Sequence, residues 1–168
     1  MNDLLGLAGA AAETLRARHE TVAVAESSAG GLVAASLLAQ PGASAFFLGG
    51  AVVYTRTART ALLGITPTDM QGLRPSTEAY ALLLARRLRE QLGATWGVAE
   101  TGAAGPTGNS YGDAPGHSCI AIVGPVELAR TLETTTDDRV ANMRAFAAAA
   151  LALLREAAEQ HSLSHAAT

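Results

Sequence analysis

The stretch Val22-Ala-Val-Ala-Glu-Ser-Ser-Ala-Gly-Gly-Leu-Val-Ala34 decides the fold. Its first residues form a short apolar run rich in valine, which is typical of a buried strand, and an apolar pattern with helical spacing begins at Leu32. Gly30 and Gly31 permit a tight turn between the two. The stretch therefore predicts a strand, a turn and a helix, with Ser27 and Ser28 in the turn.

The predicted turn is a favourable place for negative charge. Backbone N–H groups at the start of a helix have no partner within the helix, and the helix dipole is positive there. A nucleophilic hydroxyl, a phosphate or an oxyanion would each be stabilised, and Ser27 is the candidate nucleophile. The alternative is that Ser27 or Ser28 only caps the helix, while the glycines only permit close packing.

The rest of the chain predicts an α/β fold. Its 168 residues suffice for one hydrophobic core, so we expect a single domain over residues 1–160 and a disordered tail over 161–168. Five strands interleaved with helices, two of them joined by a hairpin turn, indicate a three-layer α/β/α sandwich with a mixed, mostly parallel sheet. The predicted strands are 21–25, 46–54, 95–99, 117–123 and 128–135. The predicted helices are 2–18, 32–39, 56–63, 76–92 and 137–160.

Composition excludes several classes of partner. A net charge of −3 argues against nucleic acid, and no segment reaches the apolar length of a membrane span. Cys119 is the only cysteine, so no disulfide framework or thiolate cluster can form and the cytoplasm is the expected compartment. The carboxylates lack metal-ligand spacing, so neither a metal nor a cofactor is expected. Alanine-rich helices favour a homo-oligomer.

All 12 basic side chains are arginine, and the chain contains no lysine. Mechanisms that use a lysine as general base or as a Schiff base are therefore excluded.

Two further segments carry candidate site residues. Tyr54 ends a predicted strand, where its hydroxyl can lie at the rim of a pocket. A loop rich in glycine spans residues 100–116, and a loop of this length in a compact domain is more often a binding loop than a simple connection. His117 follows it and is either a packing residue of the core or a reserve general base.

Four motifs resemble the C-terminal domain of the competence/damage-inducible protein CinA, a family that includes stand-alone nicotinamide mononucleotide deamidases. The resemblance covers about residues 4–154. The motifs are Ala25-Glu-Ser-Ser-Ala-Gly-Gly31, Gly50-Ala-Val-Val-Tyr54, Thr101-Gly-Ala-Ala-Gly-Pro-Thr-Gly108, and Asp138-Arg139 followed by Arg144.

The resemblance implies a three-layer α/β/α fold and hydrolysis of the carboxamide of nicotinamide mononucleotide to nicotinate mononucleotide and ammonia, a step of pyridine nucleotide salvage. Ser27 would be the nucleophile and Tyr54 would assist proton transfer. Arg139 and Arg144 would bind the phosphate or order the last helix. The residues expected to hold the rest of the nucleotide are Gly30, Gly31, Thr101, Gly102 and Gly105.

The chain also departs from the family pattern. Arg59 stands where active members have a lysine, and an arginine cannot be a simple general base because it stays protonated. It could act only through its charge, by favouring the phenolate form of Tyr54. Residues 72–78, Glu100 and the insert 109–113 also differ. A second hypothesis is therefore a nucleotide-binding protein of the same fold that is non-catalytic or has another specificity.

Overall fold

The computed structural model describes residues 2–166, and its elements follow the predicted order. The strands are β1 (Val22–Glu26), β2 (Phe47–Val52), β3 (Trp96–Ala103), β4 (His117–Val123) and β5 (Leu128–Glu133). The helices are α1 (Asn2–Ala17), α2 (Leu32–Leu38), α3 (Arg56–Leu63), α4 (Glu78–Leu92) and α5 (Arg139–Ala166), with a short 3-10 turn at Ala43–Ala45.

The five strands form one mixed sheet in the order β2-β1-β3-β4-β5. β1 is parallel to both β2 and β3, whereas β3–β4 and β4–β5 are antiparallel. The predicted α/β fold with a mixed sheet is confirmed. β4 runs against the other four strands of this sheet, because the long loop returns the chain directly beside β3 without a helical crossover.

Alternate residues of the central strands enter two separate cores. In β1, Val22 and Val24 pack with α1, α2 and α5, whereas Ala23 and Ala25 pack with α3 and α4. This alternation is the period of two that a strand imposes on its side chains. The helices therefore cover both faces, which confirms the three-layer arrangement.

The last helix is longer than predicted. Residues 161–166, expected to begin a disordered tail, continue α5, while 167–168 lie outside the described residues. Arg18 explains the difference, because its guanidinium donates to the carbonyl of Ala158 at 3.1 Å and also to Ser162. His161 lies 3.6 Å from Glu20, so contacts with the end of α1 hold this turn. No helix among residues 2–166 is long and apolar enough to cross a membrane.

Glu26, at the end of β1, caps α2. Its buried carboxylate accepts hydrogen bonds from the backbone N–H groups of Gly31 at 3.0 Å, Val33 at 3.0 Å and Ala34 at 2.7 Å. Burial raises the pKa of Glu26, and these hydrogen bonds oppose that rise. The carboxylate thus satisfies donors that have no partner inside the helix, which fixes the start of α2 against β1.

We predict that Glu26→Ala lowers the free energy of unfolding by about 2–4 kcal/mol, because buried N–H groups lose their acceptor. Urea denaturation followed by circular dichroism measures this change. The matched control is Glu13→Ala on the exposed side of α1, which should change stability by less than about 0.5 kcal/mol. Equal effects of the two substitutions would show that the cap does not hold the turn.

Candidate active site

The candidate site lies where β1 and β3 end side by side. β1 continues through α2 to its neighbour β2, whereas the chain from β2 crosses through α3 and α4 to β3 on the other side of β1. The connections diverge onto opposite faces at this point. In open α/β sheets such a switch point leaves a crevice beyond the carboxyl ends of the strands, and ligands bind there. Ser27 follows β1 and Thr101 lies near the end of β3.

A cavity of about 260 Å³ occupies this crevice. It brings together five residues that the sequence assigned to the site, namely Ser27, Tyr54, Arg59, Thr101 and Gly102. They come from four separate segments of the chain, so only the fold assembles them. We name this space the serine cavity.

The hydroxyl of Ser27 is free for a ligand. It makes no hydrogen bond to any other residue in the part of the chain that the structure describes, and the side chain is half-buried at the cavity. The backbone N–H of the next residue, Ser28, is likewise unpaired within residues 2–166. A donor in this position, directly after a nucleophile, is typical of an oxyanion hole. The turn therefore offers a hydroxyl and an N–H group side by side.

Glu100 holds that turn in place. Its fully buried carboxylate accepts hydrogen bonds from the N–H of Ala29 at 2.7 Å and from the hydroxyls of Ser28 at 2.5 Å and Ser118 at 2.9 Å. The N–H of Ser27 also lies 3.2 Å from it. Burial raises the pKa of Glu100, and the four donors oppose the rise. The side chain of Ser28 thus helps to hold the turn.

The glycine-rich loop forms a second compartment of about 160 Å³ beside the serine cavity. Arg139 reaches into it and donates to the carbonyl of Gly105 at 2.5 Å and to the hydroxyl of Tyr54 at 3.2 Å. A side chain at Gly105 would lie 2.6 Å from the carbonyl oxygen of Asp137, so the loop packs directly on the start of α5. We name this space the loop compartment.

Arg59 is the most unusual charge at the site. It is 9% exposed, and its Nε is the one buried side-chain nitrogen or oxygen within residues 2–166 that has no hydrogen-bond partner. Its guanidinium carbon lies 5.8 Å from the ring centre of Tyr80, and no described carboxylate pairs with it. The predicted link from Arg59 to Tyr54 is not a direct contact, because Arg139 occupies the Tyr54 hydroxyl.

Three predicted site residues lie elsewhere. Gly30 and Gly31 do not line the cavity, but shape the turn with φ angles of +68° and +96° that side chains rarely adopt. Arg144 is exposed and lines a separate cleft with Asp3 and Leu4. It lies about one and a half helical turns beyond Arg139 and faces away from the loop compartment, so its assignment to the phosphate stays a prediction.

His117 was the reserve general base, and the structure gives it another role. One ring nitrogen contacts the carboxylate of Glu133, and the other lies 3.0 Å from the carbonyl of Ser76. Burial alone lowers the pKa of His117, but the bonds to Glu133 and Ser76 and the nearby charge of Asp113 outweigh it and raise the pKa. Both nitrogens face acceptors, so the protonated ring is stabilised and ties the segment before α4 to the sheet.

Several cavity residues were not predicted. They are Arg56, Ser76, Tyr80, Asn109 and Tyr111, with Val53, Thr55 and Pro75 completing the wall. Four of these residues lie in segments 72–78 and 109–113, which depart from the family pattern. That departure was the signal in the sequence that could have placed these segments at the site. Arg74 pairs with Asp113 at 2.6 Å and ties the two segments together.

The fold and site define an α/β protein with a small cationic cavity at the switch point of a mixed sheet. The chain belongs to the CinA C-terminal domain family, whose profile matches residues 5–158. This finding confirms the resemblance inferred from the four motifs.

Relatives and solved structures that match this chain also carry the name of this family. The chain is 39% identical over 160 residues to a CinA-like protein of Myxococcus xanthus and 40% identical over 119 residues to one of Prochlorococcus marinus, covering 93% and 71% of this chain. It spans only 36% and 28% of those proteins. A CinA superfamily protein from Klebsiella pneumoniae 700603 superposes with a TM-score of 0.86 at 26% identity, covering 94% of this chain and 98% of that one. A competence/damage inducible protein from Agrobacterium tumefaciens gives 0.78 at 28% identity, covering 94% and 93%.

We predict that the His117 contact makes stability depend on pH. Because the pKa of His117 is raised above its ordinary 6.5 in the folded state, its contribution is complete below pH 6.5 and is lost as pH rises through the raised value. The melting temperature should therefore fall over that range, and His117→Gln should remove this part of the fall.

Thermal denaturation at half-unit pH steps measures the effect. The matched control is His19→Asn, which replaces an exposed histidine with positive φ by a residue that tolerates this conformation. The same pH profile for the wild type and His117→Gln would contradict the assignment.

Proposed function

We propose that the protein is an amidohydrolase of the nicotinamide-nucleotide amidase type, which releases ammonia from the carboxamide of nicotinamide mononucleotide. The observation that carries the proposal is the unpaired hydroxyl of Ser27 in a cavity shared with Tyr54, Arg59 and Thr101. A serine hydroxyl without an internal partner, facing a cavity, is suited to attack on a carbonyl carbon.

In the proposed reaction, the oxygen of Ser27 bonds to the amide carbon and the carbonyl oxygen becomes negatively charged. The N–H of Ser28 stabilises that charge as an oxyanion donor. Collapse of the intermediate breaks the carbon–nitrogen bond and ammonia leaves with one added proton. Water then hydrolyses the ester, which yields the carboxylate and frees Ser27.

Tyr54 is the proposed proton acceptor for Ser27. Arg139 donates a hydrogen bond to its hydroxyl at 3.2 Å, which fixes the direction of the phenol oxygen at the rim of the cavity. The same guanidinium lines the loop compartment, where the N–H groups and arginine suit a phosphate. A mononucleotide would therefore place its phosphate in the loop compartment and its amide in the serine cavity.

A second function is favoured by Arg59. It is a permanent cation where active relatives have a lysine, so the cavity could bind the nucleotide without hydrolysing it. Binding without turnover would support this alternative.

We predict that the purified protein releases ammonia from nicotinamide mononucleotide. Ser27→Ala should lower the rate of release at least about a thousandfold. Ammonia formation, measured in a coupled spectrophotometric assay at several pH values, gives the rate. Ser110→Ala on the exposed loop is the matched control and should retain the rate. Equal release by the wild type and Ser27→Ala at high protein concentration would defeat the proposal.

We predict a rate order for position 59. Arg59→Lys should keep or increase the rate, because lysine supplies the charge and can also lose a proton when buried. Arg59→Ala should be slower than both because it removes the charge, and Tyr54→Phe, which removes the proposed proton acceptor, should lose about a hundredfold to ten-thousandfold on either background. Steady-state kinetics measures the order, with folding checked by circular dichroism. Full turnover by Arg59→Ala would remove Arg59 from the mechanism.

A further inference from the structure

A second cavity of about 440 Å³ adjoins the serine cavity. The two share a wall made by Arg56, Arg59, Pro75 and Tyr111. The second cavity has no lining residue in common with the loop compartment, whereas the serine cavity shares residues with both. The serine cavity therefore lies between the loop compartment and this extra space, which we name the arginine cavity.

The arginine cavity carries positive charge without a matching negative charge. Arg74 is neutralised by Asp113, but Arg56 and Arg59 form no ion pair with any carboxylate within residues 2–166. Arg59 is also nine-tenths buried with an unpaired Nε. The guanidinium lies over the Tyr80 ring and leaves Nε without an acceptor, and an anionic ligand group would satisfy that buried donor.

The remaining walls are mostly apolar. Met70 and Leu73 are half-buried there, and Pro67 and Tyr111 complete the surface. These side chains suit a short hydrocarbon linker more than a second phosphate. The cavity thus fits a small group that carries one carboxylate on a few carbon atoms.

The position of the cavity indicates which part of a substrate enters it. Under the proposed function, the phosphate lies in the loop compartment and the carbonyl carbon lies at Ser27. That carbon bears the pyridine ring, an oxygen that the proposed reaction places at the Ser28 N–H, and the amide nitrogen, so the amide nitrogen is the group left to face the arginine cavity. With a primary amide the arginine cavity would stay empty, so a substituent on the amide nitrogen is what it can hold.

We propose that the arginine cavity is a leaving-group subsite and that the enzyme accepts pyridine mononucleotides whose amide nitrogen bears a carboxylate, as in an amide-linked amino acid. This inference rests on the proposed function. Ser27 attacks the carbonyl carbon, the carbon–nitrogen bond breaks, and the amino acid leaves with one added proton on its nitrogen. Water then cleaves the ester, as with the primary amide.

The test compares nicotinamide mononucleotide with the mononucleotide of nicotinuric acid, whose amide nitrogen carries a carboxymethyl group. The wild type should hydrolyse the second with kcat/KM at least about tenfold higher, since a charge-assisted contact to Arg56 and Arg59 is added. Product glycine and ammonia are measured separately. The uncharged N-ethyl amide of the nucleotide should lack the advantage.

Two variants probe the subsite through the ratio of kcat/KM for the extended and primary amides. Arg56→Gln should lower the ratio about tenfold, and Leu73→Trp, which fills the cavity, should lower it further. Arg155→Gln, which removes an exposed pair with Glu159, is the matched control and should leave the ratio unchanged. A ratio of one or less for the wild type, or an equal loss on both amides in Arg56→Gln, would overturn the proposal.

Failure of the proposed function gives a different result. In that case neither amide is hydrolysed, and binding to Ser27→Ala by titration calorimetry decides the inference. Binding of the carboxymethyl amide at least about tenfold tighter than the primary amide, with the difference lost in Arg56→Gln, supports the subsite. Equal binding overturns it.

Discussion

The buried carboxylate of Glu100 is the interaction on which the site depends. It lies on β3 opposite Glu26 of β1, and it accepts hydrogen bonds from the turn that carries Ser27. Burial raises the pKa of Glu100, and hydrogen bonds from four donors oppose that rise and stabilise the buried carboxylate. The turn forms hydrogen bonds to β3 through the side chain and the backbone carbonyl of Glu100. The sheet therefore sets the position of Ser27.

Alternate side chains of β1 and β3 point to opposite faces of the sheet, and the two faces have different roles at the site. Glu26 and Glu100 share parity with the residues that pack on α2 and α5, so both carboxylates lie beneath the turn. Thr101 has the opposite parity and faces the α3 and α4 side, where Arg59 and Tyr80 are found. One face of the sheet thus holds the backbone of the turn, and the other face forms the cavity.

Local patterns predicted the parts of the structure that depend on local contacts. Residues 56–63 and 117–123 were predicted with their observed bounds, because capping by Thr55 and Gly64 and an apolar run over 119–123 are visible in a short window. The Ser27, Tyr54 and Thr101 grouping came from family motifs.

Contacts between distant residues were not predictable in this way. Glu100 meets Ser28 across 72 positions of sequence, and His117 meets Ser76 across 41, so neither pairing leaves a local signal. Helical spacing identified an apolar stripe for α5, but did not show that Arg139 points to the loop while Arg144 points elsewhere. The length of α5 was missed because Arg18, the residue that holds its end, lies 140 positions away.

The replacement of lysine by arginine changes the chemistry available to the cavity. A buried lysine can lose its proton and act as a base, whereas an arginine remains a cation. Proton transfer must then pass to another group, and Tyr54 is the one whose hydroxyl already accepts a hydrogen bond from a cation, Arg139. Arg59 is left with its charge alone. Arg59 lines the serine cavity and Arg139 lines the loop compartment, so under the proposed reaction the two arginines attract an anionic substrate that spans both spaces and thereby place its amide at Ser27.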